Sequence, residues 1–341
     1  MFERLYCHIG AHKTATSSIQ GTMWHSDKAL RARGIYNIRQ PAGLLAQVSN
    51  TPHTLVPIRM RNLFGEQVQR FADLAMQKLD RAVETPRLTK ALFSTEHALT
   101  LNAQEIAGLA QLLMQRAQHV TVIYYVRHPI GRIASYLSQE VKTGHARLNH
   151  PLTAYLEDTE AVLAPWIDAF GRTSIDVRAF DPTSMPHGEP VADFCHAIQT
   201  PELFPDLDLQ RKNTGITHAG ALIADAMNAD GKTRRGRQQL INVLELMAGP
   251  KLTIPTDTLN LLRPDIEKDL RYVQREFGIT LPHPTLAEHE IDRNEILDDA
   301  ALAEIGQVLL HLAQQQQDLQ KTLKRKQLKL RKLTGTADRD V

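Results

Sequence analysis

The segment Gly10-Ala11-His12-Lys13-Thr14-Ala15-Thr16-Ser17-Ser18 packs one glycine, one lysine and four hydroxyl side chains into nine residues. It follows the strand-like Leu5–Ile9 run and precedes a helical pattern. A helix N-terminus presents unpaired N–H groups at the positive end of the helix dipole, which suits a phosphate-like anion. Small residues let those amides converge, Lys13 adds a full charge, and the hydroxyls of Thr14, Thr16, Ser17 and Ser18 add donors. A second cationic run, Arg127-His128-Pro129-Ile130-Gly131-Arg132-Ile133-Ala134-Ser135, follows the apolar VTVIYYV segment. Arginine offers planar donors matched to phosphate oxygens. Pro129 suits a helix first turn, and Ser135 then falls less than two turns along that helix. A third run, Ser94-Thr95-Glu96-His97, sets a carboxylate and an imidazole just past another short apolar strand, as proton transfer requires.

A nucleotide loop of the G-x-x-x-x-G-K-[ST] type is the first hypothesis for residues 10–18, and it fails on spacing. Two residues separate Gly10 from Lys13, and His12 stands where a glycine is needed. Such proteins also place a metal-binding aspartate at a strand end, whereas the strongest strand here runs into Arg127. An arginine in place of the carboxylate predicts a second anion site and no metal.

The paired motifs resemble those of sulfotransferases that use 3′-phosphoadenosine 5′-phosphosulfate (PAPS). That family's first motif, G-x-x-K-[ST]-G-T-[ST], is similar to Gly10-Ala11-His12-Lys13-Thr14-Ala15-Thr16-Ser17. Its second motif, an arginine with a serine eight residues later, is similar to Arg127…Ser135. The resemblance implies that residues 10–17 cradle the 5′-phosphosulfate, that Arg127 and Ser135 grip the 3′-phosphate, and that PAPS is the cosubstrate without a metal. Ala15 stands where the family carries glycine, which questions whether positive φ is required there. A C-terminal family motif, R-K-G-x-x-G, is echoed by Arg211-Lys212-Asn213-Thr214-Gly215, so Arg211 and Asn213 are further expected nucleotide contacts. The likeness spans about residues 4–215.

The acceptor's proton needs a base, and Glu96, His12 and His97 compete for that role. Glu96 stands at the exit of an expected parallel strand, where open α/β sheets bind ligands. The Ser-x-Glu segment also resembles the strand-end glutamate of carbohydrate and bacterial sulfotransferases. The two histidines have the better-matched intrinsic pKa. Lys13 is the expected electrostatic catalyst, with Glu96 or His12 as base. Arg39, His53, Arg59, Arg61 and Arg70 in the 38–70 stretch suit either a lid over an anionic or polyhydroxyl acceptor or a solvated surface. Tyr136 and His145 suit either the acceptor site or a solvated surface.

The elements that must position these residues alternate. The patterns predict strands at Leu5–Ile9, Gly34–Arg39, Ala91–Ser94, Val120–Val126 and Ile175–Phe180. Helices are expected over Thr16–Arg33, ended by Gly34, over Arg61–Val83 and around Gln104–Gln118, with Pro41–Met60 irregular. Helices dominate after about Gln210. The expected fold is α/β: a three-layer sandwich on a central parallel sheet, similar to P-loop NTPases through the family resemblance, plus a helical C-terminal extension. The expected organisation is a PAPS-binding core over 1–215, its helical completion over 216–300, and a basic helical tail over 301–341. In that tail, three- and four-residue spacing links Leu312, Gln316, Leu319, Leu323, Lys326, Leu330 and Leu333.

Composition agrees with an ordinary enzyme: 341 residues, 42% hydrophobic and 23% charged, with 40 basic against 38 acidic side chains. A net charge of +2 gives no global argument for a nucleic-acid partner. Two cysteines support neither a disulfide framework nor a cysteine-rich zinc site. With no signal-like N-terminus and no apolar run of the length a membrane span needs, the expected location is the cytoplasm. The expected activity is transfer of a sulfuryl group from PAPS to a hydroxyl or amine of a small-molecule or carbohydrate acceptor. A P-loop-type kinase or NTPase and a non-catalytic nucleotide-binding scaffold are the alternatives. The 309–333 helix is expected to be solvated, to pair in a homo-oligomer or to meet an anionic surface.

Overall fold

The computed structural model describes residues 1–51, 66–210, 215–229, 237–247, 249–254, 256–284 and 299–333. Five strands, β1 (Phe2–Gly10), β2 (Ile35–Asn37), β3 (Lys90–Ser94), β4 (Ala117–Val126) and β5 (Ile175–Ala179), form one sheet in the order β2-β3-β1-β4-β5. Every pairing is parallel, with Leu5 opposite Ala91 on one side and Val120 on the other. The described helices are α1 (Thr16–His25), α2 (Asp27–Ala32), α3 (Pro41–Val48), α4 (Glu66–Val83), α5 (Ala103–Met114), α6 (Pro129–Thr143), α7 (Thr159–Phe170), α8 (Pro190–Ala197), α9 (His218–Ala229), α10 (Arg237–Leu244), α11 (Thr256–Phe277) and α12 (Asp299–Leu333).

A parallel sheet is buried on both faces, so its strands read as nearly continuous apolar runs. Leu5, Cys7 and Ile9 of β1 join Val122 and Tyr124 of β4 in one core with α3, α5, α7 and the end of α11. Their alternating neighbours Tyr6, Ile123 and Tyr125 face the opposite way, onto α1, α2 and α8. The result is three layers, helix–sheet–helix.

The chain divides into two compact units. The first, residues 1–132, 156–213 and 261–284, holds the sheet. The second, residues 133–155, 214–260 and 285–341, is helical in its described parts. In it, Arg147 grips Asp225 through two nitrogens at 2.7 and 3.0 Å, and Lys142 reaches Glu245 at 2.8 Å. Arg237 donates to the carbonyls of Val141 and Lys142, capping the end of α6. A Cβ on Gly306 would collide with the Met227 side chain, so a glycine here lets α12 lie close to α9.

Local departures from the sequence expectations have physical causes. The expected Thr16–Arg33 helix breaks at Ser26, whose hydroxyl accepts from the Asp208 N–H, although Gly34 ends the segment at φ 72° as expected. Residues 41–48, expected to be irregular, are helical. Pro41 fills the first turn, where its missing N–H is no loss, and Leu44 and Leu45 are wholly buried. The helix expected to reach Gln118 ends at Met114, and β4 takes over from Ala117. Asn102 and Glu105 bracket the start of α5 as a capping box.

Candidate functional site

Strand β1 delivers Gly10 at its carboxyl end, and the loop from Ala11 to Ala15 turns the chain into α1. Three residues of this turn are left-handed: Gly10 at φ 100°, Lys13 at 67° and Ala15 at 59°. Ala15 is the residue at the helix N-terminus, with ψ 18°. The position does require positive φ, and an alanine holds it at a steric cost that glycine would avoid. Lys13 and Ala15 flank Thr14, so left-handed and other residues alternate over 13–15, the backbone pattern of an anion-binding concavity. The Thr14 and Thr16 hydroxyls turn inward, both donating to the Ala11 carbonyl at 2.7 and 3.0 Å. Both side chains are buried and tie the loop to itself. Ser18 and Ile19 donate to the Ala15 carbonyl and close the first turn of α1.

Gly10 is constrained by what lies beside it. A Cβ there would sit 3.4 Å from the Glu96 Cβ, on backbone that side chains rarely adopt. Glu96 begins a short 3-10 turn directly beyond β3, after Thr95, whose hydroxyl accepts from the His97 N–H. The Glu96 carboxylate lies 3.7 Å from His12 Nδ1, so two of the expected base candidates meet across β1 and β3. The His12 ring holds the Glu96 carboxyl below the ordinary carboxylate range; burial opposes this, and His97 and Lys13 add to it. Glu96 is therefore ionised at neutral pH.

Arg127 enters from the end of β4. Its Nη1 donates to the backbone carbonyl of Lys13 at 2.9 Å, and its guanidinium lies over the Phe180 ring at 5.4 Å. Burial, and then the like charge of Arg132, push Arg127 below its usual range. Arg132 has its own partner, Glu157, at 2.9 Å. Among the described residues no carboxylate pairs with Arg127. Half-burying a cation without a counter-charge costs free energy that a bound anion would offset. His128 starts α6, accepting from the Ile130 N–H at 3.3 Å, and burial lowers its pKa to about 4.

Glu157 and His8 support the site without a motif that marks them. Glu157 accepts from the Tyr124 hydroxyl at 2.6 Å as well as from Arg132, so it anchors the strand that carries Arg127. The 33-residue separation of Tyr124 and Glu157 leaves no local signal. His8 is wholly buried on β1, bonded through Nδ1 to the Ser94 hydroxyl at 2.8 Å, with its pKa lowered to about 3 by burial. Its place in the apolar run was the available clue.

Other expected residues fall elsewhere. Ser135 lies half-buried on α6, in the second unit. Arg211, Asn213, His53, Arg59 and Arg61 lie outside the described residues. Tyr136 stacks on Tyr155 at 5.2 Å within the second unit, and His145 pairs with Glu140 at 3.7 Å. Arg39 stacks over Trp24 at 4.1 Å and helps line a groove of about 480 Å³ with Arg31, Tyr36, Lys78 and Arg81. Among the described residues no group of three His, Cys, Asp or Glu is placed to hold a metal ion, and no helix is long and apolar enough to cross a membrane.

Among solved structures, the chain is similar to a sulfotransferase from Alicyclobacillus acidocaldarius, with 15% sequence identity, a TM-score of 0.45, and coverage of 82% of this chain and 97% of that one. A likeness of that size assigns no residue a role. No family model matches the sequence, and no curated protein matches it.

Proposed function

We propose that the protein is a PAPS-dependent sulfotransferase whose nucleotide sits at the carboxyl ends of β1, β3 and β4. The observation that carries this reading is the half-buried Arg127, bonded to the Lys13 carbonyl and paired with no carboxylate among the described residues. Two cationic motifs 114 residues apart in sequence converge there, and one anionic ligand would complete both. An arginine, not a carboxylate, at the end of β4 favours an anion over a chelated metal. The reading keeps the acceptor as a hydroxyl or amine of a small molecule or carbohydrate.

When bound, PAPS supplies a sulfuryl group on a phosphate leaving group. The amides of residues 11–17 and the Lys13 ammonium would meet the charge that grows on the leaving oxygen as its bond to sulfur breaks. Arg127 would hold the 3′-phosphate. The acceptor oxygen bonds to sulfur, and its proton passes to the Glu96 carboxylate. His12, beside Glu96, orients that carboxylate and is the next acceptor if Glu96 fails.

The test is conversion of PAPS to adenosine 3′,5′-bisphosphate by the purified chain against a panel of hydroxyl and amine acceptors. Acceptor-dependent conversion that Lys13→Ala abolishes supports the reading. Turnover of Mg-ATP with no use of PAPS overturns it in favour of a kinase or NTPase.

A further inference from the structure

Helix α12 carries two apolar faces, and only one is used. At 100° per residue, Leu302, Gly306, Leu310 and Ala313 share a face, and all four are buried where α12 packs on α9 and α10. Ile305, Val308, Leu312, Leu319 and Leu323 form a second stripe, turned about 120° from the first, and every one of them is exposed. Leu319 is 71% and Val308 59% exposed, values foreign to a core position. From Asp318 to Leu328 every residue is exposed, yet the segment is helical. A free-standing helix this short is marginal in water, so an amphipathic one draws its stability from a partner.

We propose that this stripe pairs with the same stripe of a second copy of the chain, as an antiparallel coiled coil over about residues 305–330. With Leu309, which is half-buried, the spacing 305, 309, 312, 316, 319, 323, 326, 330 alternates fours and threes, the coiled-coil seam. The seam is self-complementary about its midpoint between 317 and 318. Reversed on itself it sets Leu312 against Leu323, Gln316 against Leu319 and Ile305 against position 330. Charge selects the direction. Residues 299–318 carry Asp299, Glu304 and Asp318 and neither lysine nor arginine, whereas 319–333 carry seven lysines and arginines and no acid. A parallel pair would align the two basic halves; the antiparallel pair lays each along the partner's first half, which over 305–318 carries Asp318 and neither lysine nor arginine. A lipid surface fits less well, because Gln316 and Lys326 fall inside the stripe and its first half has no cation to meet anionic headgroups.

The full chain should sediment with the mass of two 38.3 kDa protomers at about 50 µM, and the variant L312E/L319E/L323E, changed only at exposed positions, should sediment as a folded monomer. Orientation is read by mixing L312C with L323C, since native Cys7 and Cys195 are both buried. Enrichment of the L312C–L323C heterodisulfide over either homodisulfide supports the pairing. A monomeric wild-type chain overturns it, whether or not that chain binds vesicles of phosphatidylserine and phosphatidylcholine, and so does a dimer that survives the triple change. Predominant L312C homodisulfide overturns the antiparallel direction.

Discussion

The Arg127 guanidinium donates to the Lys13 carbonyl at 2.9 Å, fixing the loop after β1 to the end of the neighbouring strand β4. This bond spans the two cationic motifs and occupies one donor of a five-donor group, and among the described residues no carboxylate takes another.

Because no described carboxylate balances Arg127, replacing it with an isosteric apolar residue should separate stability from binding. Arg127→Met is expected to keep the unliganded Tm within about 3 °C, a change of about 1 kcal/mol, because the lost bond to Lys13 is offset by removing a half-buried charge. Stabilisation by adenosine 3′,5′-bisphosphate should vanish. A variant that still gains the wild-type ligand shift in differential scanning fluorimetry would exclude Arg127 from the site.

Ala15 holds a left-handed conformation without the freedom of glycine. Ala15→Gly should raise stability by about 1 kcal/mol, the relieved steric cost less the entropy glycine adds to the unfolded chain. Denaturant titration checks the sign: a lowered midpoint at unchanged m-value would mean that alanine is not strained there.

Catalytic roles separate by substitution. Lys13→Ala should lower the transfer rate by about 10²-fold or more. Glu96→Gln should leave nucleotide affinity within about twofold and slow transfer by about 10²- to 10⁴-fold. An unchanged rate in Glu96→Gln moves the base to His12, and His12→Asn then becomes the slow variant.

His8 gives the fold an acid sensitivity of known sign. Its folded pKa is about 3, below the ordinary value of 6.5, so the unfolded chain binds a proton that the folded chain refuses. Stability is unaffected by His8 above about pH 6.5 and falls by about 1.4 kcal/mol per unit as pH drops from there toward 3. His128, lowered to about 4, adds to the same loss. His8→Asn should flatten the dependence of unfolding free energy on pH between 4 and 6; an unaltered slope would show that His8 takes up its proton while folded.

Much of the frame was legible because burial leaves a compositional trace. The β4 run VTVIYYV is apolar on both faces, as a strand inside three layers must be, and Gly34 marks its turn by φ. The cationic ends of β1 and β4 were legible for the same reason, since each follows such a run. Long-range pairing was not: nothing near Tyr124 announces Glu157, and nothing near Glu96 announces that His12 faces it. Ala15 misled because residue type suggests a backbone preference that the surrounding turn overrides. The Ser26 break was hidden too, since its cause is a backbone N–H 182 residues away.

A thermal shift comparing adenosine 3′,5′-bisphosphate with Mg-ATP tests the nucleotide assignment most directly. At a hundred times its dissociation constant the bisphosphate should stabilise the protein by about 2.7 kcal/mol, with no comparable effect from Mg-ATP. A shift produced by Mg-ATP alone, or by neither nucleotide, would contradict the assignment.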